Sequence, residues 1–179
     1  MHKGHYTRAN NNNNKQYFDI TGFIILPFII GMEEANQVPS GFHSVTPYLI
    51  VSGASRLIDF LKQVFDAKEI DRFEMNNAIM HAVVKIGNSN IMISDSNQFM
   101  KPIPSFLYVY VANVDDTYQK ALRAGATSTR APTDEFYGDR GAGIVDFAGN
   151  NWYIATHKRD IPREELKRLA EEHFGEMGQ

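Results

Sequence analysis

Asp134-Glu-Phe-Tyr-Gly-Asp-Arg-Gly-Ala-Gly-Ile-Val-Asp-Phe-Ala-Gly-Asn-Asn-Trp-Tyr-Ile-Ala-Thr-His157 decides the fold. Gly138 permits a tight turn ahead of Asp139 and Arg140. Two short β-runs follow, around Gly143–Asp146 and Trp152–Thr156, with Gly149-Asn150-Asn151 as the turn between them. The stretch therefore reads as a closing hairpin. Upstream, Ser128–Arg130 supplies a further strand, preceded by a helix that Asp115 would cap and that runs through Ala124 to Gly125 as its C′ residue. Ahead of that helix, Ser105-Phe-Leu-Tyr-Val-Tyr-Val111 alternates strongly.

The same order occurs once before. Ser44–Val51 reads as a strand, and Ser55 is a candidate N-cap for a helix running to Asp66. Leu57, Ile58, Leu61, Val64 and Phe65 fall on one helical stripe. Three strands follow at Lys68–Glu74, Ala78–Ile86 and Asn90–Ser94, the last two joined by Gly87-Asn88-Ser89. The copies lie about 60 residues apart, so the chain contains an internal repeat. A single β-α-β-β-β unit leaves one face of its sheet bare. Two units side by side, 44–95 and 105–157, predict an α+β fold: tandem βαβββ modules forming a curved eight-stranded mixed sheet around a cleft, with the helices outside. Asp160-Ile-Pro-Arg-Glu-Glu then opens a C-terminal helix within 161–179, with Pro162 at N1 and acidic residues in the first turn. It either packs on the sheet or serves a dimer contact.

Composition limits the function classes. Of 179 residues, 43% are hydrophobic and 22% charged, ordinary values for a globular domain, and the net charge of -3 gives no basic excess for nucleic acid. The chain has no cysteine, which removes disulfides and thiolate chemistry and fits a cytoplasmic location. Residues 1–40 differ in character. Asn10–Asn14 is an asparagine run, and Gly22–Gly31 is apolar but broken by Pro27, far short of the ~20 residues a membrane helix needs. This region is expected to be a disordered extension or a translated leader before Met32, with the main domain at 41–160.

The ordered pieces Thr46-Pro-Tyr-Leu-Ile-Val51, Met80-His-Ala82, Ile86–Asp95, Tyr108–Val111, Ala124-Gly-Ala126, Phe136-Tyr-Gly-Asp-Arg140, Asp146-Phe-Ala-Gly149 and Ala155-Thr-His157 resemble the vicinal oxygen chelate superfamily. This is the glyoxalase/bleomycin-resistance fold, and the nearest likeness is to its PhnB-like group. The resemblance covers about residues 42–170. In metal-dependent members, four inward side chains, His, Glu or Gln, hold a divalent ion. Carried across, those places are Thr46, Met92, Phe106 and Tyr153, with room for a one-residue slip near Met92. None is a usual ligand, so the expectation is a chain without metal or other cofactor.

Strand parity sends Phe106, Tyr108 and Tyr110 to one face and Leu107, Val109 and Val111 to the helix side. By the same logic Thr46, Tyr48, Ile50, Asn90, Met92 and Tyr153 face inward, while Trp152 belongs to the core. Tyr48, Met92, Phe106, Tyr108, Tyr110 and Tyr153 are therefore the candidate ligand-binding residues, with Arg140 as a fork for a carboxylate or phosphate. Alternatives stay open: an aromatic strand can equally fill a core or a dimer interface, and Arg140 can pair with Asp139. Asp134 and Glu135 read as solvated loop residues.

The expected function is binding of a planar or amphipathic small molecule, to sequester or sense it, by a homodimer that touches neither nucleic acid nor membrane. The competing reading is a metal-dependent lyase, isomerase or dioxygenase drawing on His81, His157, Glu74 or Asp95.

Overall fold

The computed structural model describes residues 37–177. The asparagine run, the apolar segment and the expected leader lie outside them. Within the described residues the chain follows the repeated order: β1 (Tyr48–Val51), α1 (Ala54–Phe65), β2 (Lys68–Met75), β3 (Ala78–Ile86) and β4 (Ser89–Asp95) form the first module. The second comprises β5 (Phe106–Tyr110), α2 (Val114–Arg123), β6 (Thr127–Asp134), β7 (Asp139–Val145) and β8 (Asn151–His157). Helix α3 (Arg163–Met177) follows the second module.

The eight strands form two four-stranded sheets of identical design, ordered β1-β4-β3-β2 and β5-β8-β7-β6. In each, the first strand pairs in parallel with the last and the remaining pairs are antiparallel. The α+β architecture with two tandem modules is thus as expected, its sheet divided into two open halves. Register relates the copies residue by residue. Tyr48 lies opposite Met92 and Tyr108 lies opposite Tyr153, so the suspected slip at Met92 does not occur.

Helices α1 and α2 pack on the sheets, and the core runs through both modules. Leu49, Val51, Leu57, Ile58, Leu61, Ile93, Ile144 and Ile154 are fully buried in it. Phe65 at the end of α1 meets Trp152 of β8 at 5.3 Å between ring centroids. Trp152 is 1% exposed and donates its indole N–H to the Asp146 carboxylate at 2.9 Å. Asp146 also accepts from the Asn150 amide at 2.9 Å and from two backbone N–H groups, so this buried acid is fully partnered.

The helix starts differ from those expected. Ser55 does not cap α1: Gly53, at φ 93°, occupies the N-cap with no side-chain cap. Asp95 at the end of β4 substitutes for one, accepting from the Gly53 and Ala54 N–H groups at 3.0 and 2.8 Å. Its second oxygen accepts from Ile79 at 2.8 Å. In the second module the equivalent residue is Thr156, whose hydroxyl accepts from Val114 N–H at 2.8 Å. Asn113, not Asp115, is the N-cap of α2, accepting from Asp116 at 3.2 Å. Asp115 falls inside the first turn and is thereby freed for another partner. Gly125 closes α2 at φ 90° as the sequence predicts.

Candidate functional site

The sheet faces away from the helices carry the residues that parity assigned there. On β5 and at the residue after it, Leu107, Val109 and Val111 pack toward the core, while Phe106, Tyr108 and Tyr110 stand on the opposite, exposed face. Tyr153 reaches the same face from β8. The three phenol rings form a ladder, with Tyr108 5.0 Å from both Tyr110 and Tyr153.

Gly141 on β7 makes room for this. A Cβ there would lie 2.5 Å from the Tyr153 hydroxyl and 2.7 Å from the ring, so only glycine lets the ring lie across the strand.

Over this face opens a cleft of about 640 Å³. Its wall includes Phe106, Tyr108 and Tyr153; its rim is formed by Phe136 and Tyr137 from the β6–β7 connection and by His173 and Phe174 of α3. Phe136 stacks on His173 at 5.0 Å and meets Phe174 edge-on at 5.7 Å. The C-terminal helix thus flanks the aromatic face.

Behind the rings lie two carboxylates. Asp139, its side chain 4% exposed, accepts from the Tyr108 and Tyr110 hydroxyls at 3.0 and 3.1 Å. Its other oxygen lies 2.7 Å from His157 Nδ1, and His157 Nε2 is 3.1 Å from Asp160. Glu135, 5% exposed, accepts from the Tyr153 hydroxyl at 2.6 Å and pairs with Arg130 at 2.9 Å.

The electrostatics follow. Burial, reinforced by Asp139, holds the Tyr108 and Tyr110 phenols above their ordinary range, and burial with Glu135 does the same for Tyr153. Burial also pushes Asp139 upward, but His157 and the two tyrosine hydroxyls outweigh it and leave this acid below the usual carboxylate value. Hydrogen bonds to Asp139 and Asp160 raise the His157 imidazole. The phenols are therefore donors already committed to the two carboxyl groups.

The candidate residues divide among three places. Phe106, Tyr108 and Tyr153 line the cleft and Tyr110 stacks beside them. Tyr48 and Met92 sit opposite each other on the matching face of the first sheet and do not line it. Tyr48 is 44% exposed there, 6.0 Å from the His81 ring.

Arg140 is bound elsewhere. Its fork grips Asp115 of α2 through two 2.8 Å bonds, with Asp134 at 3.1 Å, which fastens β7 to the helix. Asp139 is not its partner; Asp134 is solvent-exposed as expected, whereas Glu135 is buried rather than solvated.

Arg130, Glu135, Asp139 and His157 escaped the sequence reading as parts of this face. Strand β7 begins at Asp139 although glycines and Arg140 give it little β-propensity. Once the strand is extended to Asp139, parity places that acid on the inward face with Gly141 and Gly143.

The positions for a divalent ion do not suit one. Thr46 donates its hydroxyl to the His43 carbonyl at 3.1 Å, Met92 and Phe106 offer no hard donor, and the Tyr153 hydroxyl is committed to Glu135. Nor do the alternative donors meet. Asp95 is taken up by three backbone N–H groups, Glu74 by Arg72 at 2.7 Å, and His157 belongs to the other module. Among the described residues no three His, Asp or Glu side chains converge on a point that would hold a metal.

The two-module sheet fold defines a class of protein, and comparison identifies it. The model of the Glyoxalase/Bleomycin resistance protein/Dioxygenase superfamily matches residues 41–154, and the chain belongs to that superfamily. An uncharacterized protein of Mycobacterium bovis, Mb0911c, is 29% identical over 136 residues, covering 69% of this chain and 90% of its own. Among solved structures, TioX from Micromonospora sp. ML1 superposes with a TM-score of 0.53 at 21% identity, over 63% of this chain and 98% of that one. A point mutant of the fosfomycin resistance protein FosX from Listeria monocytogenes, complexed with Mn(II) and 1S,2S-dihydroxypropylphosphonic acid, gives 0.51 at 17% identity, over 69% and 94%. At these identities the structures share the fold.

Proposed function

We propose that this chain binds a planar or amphipathic organic molecule on the aromatic face of its second module, without a metal, and acts by sequestering or sensing it. The observation that carries the reading is the Tyr110–Tyr108–Tyr153 ladder beside a cleft large enough for a drug-sized ligand. Such a face is held rigid by buried carboxylates behind it, so little order has to be imposed on binding. Replacement of the chelating side chains by Thr46, Met92, Phe106 and Tyr153 supports binding over metal-assisted chemistry.

Within the superfamily, the Phe136–Arg140 and Asp146–Gly149 segments favour the PhnB-like group. The protein is a cytoplasmic homodimer on this reading, in which a second copy covers the exposed face that Tyr48, 44% exposed, and Phe73, 58% exposed, leave on the first sheet.

The test is a titration of planar aromatic compounds against tyrosine and tryptophan fluorescence. Tyr108→Ala should weaken any binder by about 1–3 kcal/mol, the value of one buried ring. A panel that yields no binder, or a binder indifferent to Tyr108 and Phe106, rejects the proposal. Stoichiometric zinc, nickel, manganese or iron in the purified protein would favour the enzyme reading instead.

A further inference from the structure

We infer that the ligand of this aromatic face is a flat organic cation, a fused ring system bearing delocalised positive charge. The inference rests on the binding proposal above and specifies its chemical class. Its basis is where the phenol protons go. Tyr108 and Tyr110 both donate to Asp139, and Tyr153 donates to Glu135. None of the three has a proton left for an oxyanion on a ligand.

A phenol that donates to a carboxylate also gains electron density in its ring. The negative π face then attracts positive charge more strongly than a free tyrosine would. Two such rings, Tyr108 and Tyr153, present this surface to the cleft, and Tyr110 stacks beside Tyr108 at 5.0 Å, with two buried carboxylates directly behind them.

Arg130 is the permanent cation in the cleft wall and speaks for an anion. Its guanidinium stands in the cleft wall, but it lies 2.9 and 3.2 Å from the two oxygens of Glu135 and 3.5 Å from the Tyr153 hydroxyl. An anionic ligand would have to take Arg130 from a carboxylate that is 5% exposed, leaving that charge buried and unpaired. It would then lie against ring faces whose quadrupole repels it. A cation keeps the Arg130–Glu135 pair intact. The net charge of -3 on the chain acts in the same direction at longer range.

Calorimetric titration with three bicyclic probes of similar size separates the possibilities: N-methylquinolinium, neutral quinoline and naphthalene-2-sulfonate, at neutral pH. N-methylquinolinium should bind about tenfold more tightly than quinoline, and naphthalene-2-sulfonate most weakly. Added salt should weaken the quinolinium and leave quinoline unchanged. Glu135→Gln should shrink the advantage of the cation several-fold.

Equal affinities, or a preference for the sulfonate, would overturn the charge assignment while the binding proposal stood. Failure of all three probes to bind would overturn both. The comparison among probes uses the unaltered protein, so it holds even if the Glu135 variant does not fold.

Discussion

Two residues of the second module show how differently buried and exposed polar groups behave. Trp152 is enclosed, and its N–H has one acceptor, Asp146. Trp152→Phe removes that hydrogen bond and part of the ring volume. It should lower unfolding stability by about 2 kcal/mol, read from urea denaturation followed by circular dichroism. His157 is half exposed and acts through charge. Its raised imidazole value means that its contribution is complete below the ordinary 6.5 and fades as pH climbs through the raised folded value. The lowered Asp139 value has the opposite sense, its contribution being complete above the ordinary 3.8 and lost as pH falls through the folded value. The His157–Asp139 pair is therefore strongest in mildly acidic solution. The melting-temperature deficit of His157→Ala should be larger near pH 6 than near pH 9, and a deficit that grows with pH would refute this.

At the level of strands and helices, much of the fold was legible and the caps were not. Alternation placed Phe106, Tyr108 and Tyr110 on one side and Leu107 and Val109 on the other, because that pattern is a local property of the strand. The start of α1 is instead set by Asp95, whose sequence distance from Gly53 hides the partnership. Asp95→Ala strands two helix-start N–H groups and that of Ile79. It should cost about 2–3 kcal/mol, whereas Ser55→Ala should stay within about 0.5 kcal/mol. Equal losses on chemical denaturation would contradict the assignment. The β6–β7 connection was misjudged for a similar reason. Glu135 looks like a solvated loop acid until Tyr153 and Arg130, from two other strands, close around it. The room for Tyr153 comes from Gly141, so Gly141→Ala should dislodge that ring. Its ligand affinity should fall at least as far as in Tyr153→Ala, measured by fluorescence titration.

For the molecule as a whole, the repeat was readable because equivalent side chains recur in order, and the division of eight strands into two sheets was not. Strand pairing depends on which edges meet, and no residue pattern records it. The homodimer proposal belongs to this scale: light scattering should give twice the 20.3 kDa chain mass, and Tyr48→Glu with Phe73→Glu should halve it. A monomeric wild type would reject the pairing. The contact between Phe65 and Trp152 carries an evolutionary consequence. The two repeats share an apolar boundary at this contact, so a change of shape on one side constrains the other. A chimaera that takes residues 44–95 from a relative must bring a side chain shaped to lie on the indole, or inherit a gap there. Hybrids mismatched at position 65 should express as aggregates, and restoring phenylalanine at that one site should recover them.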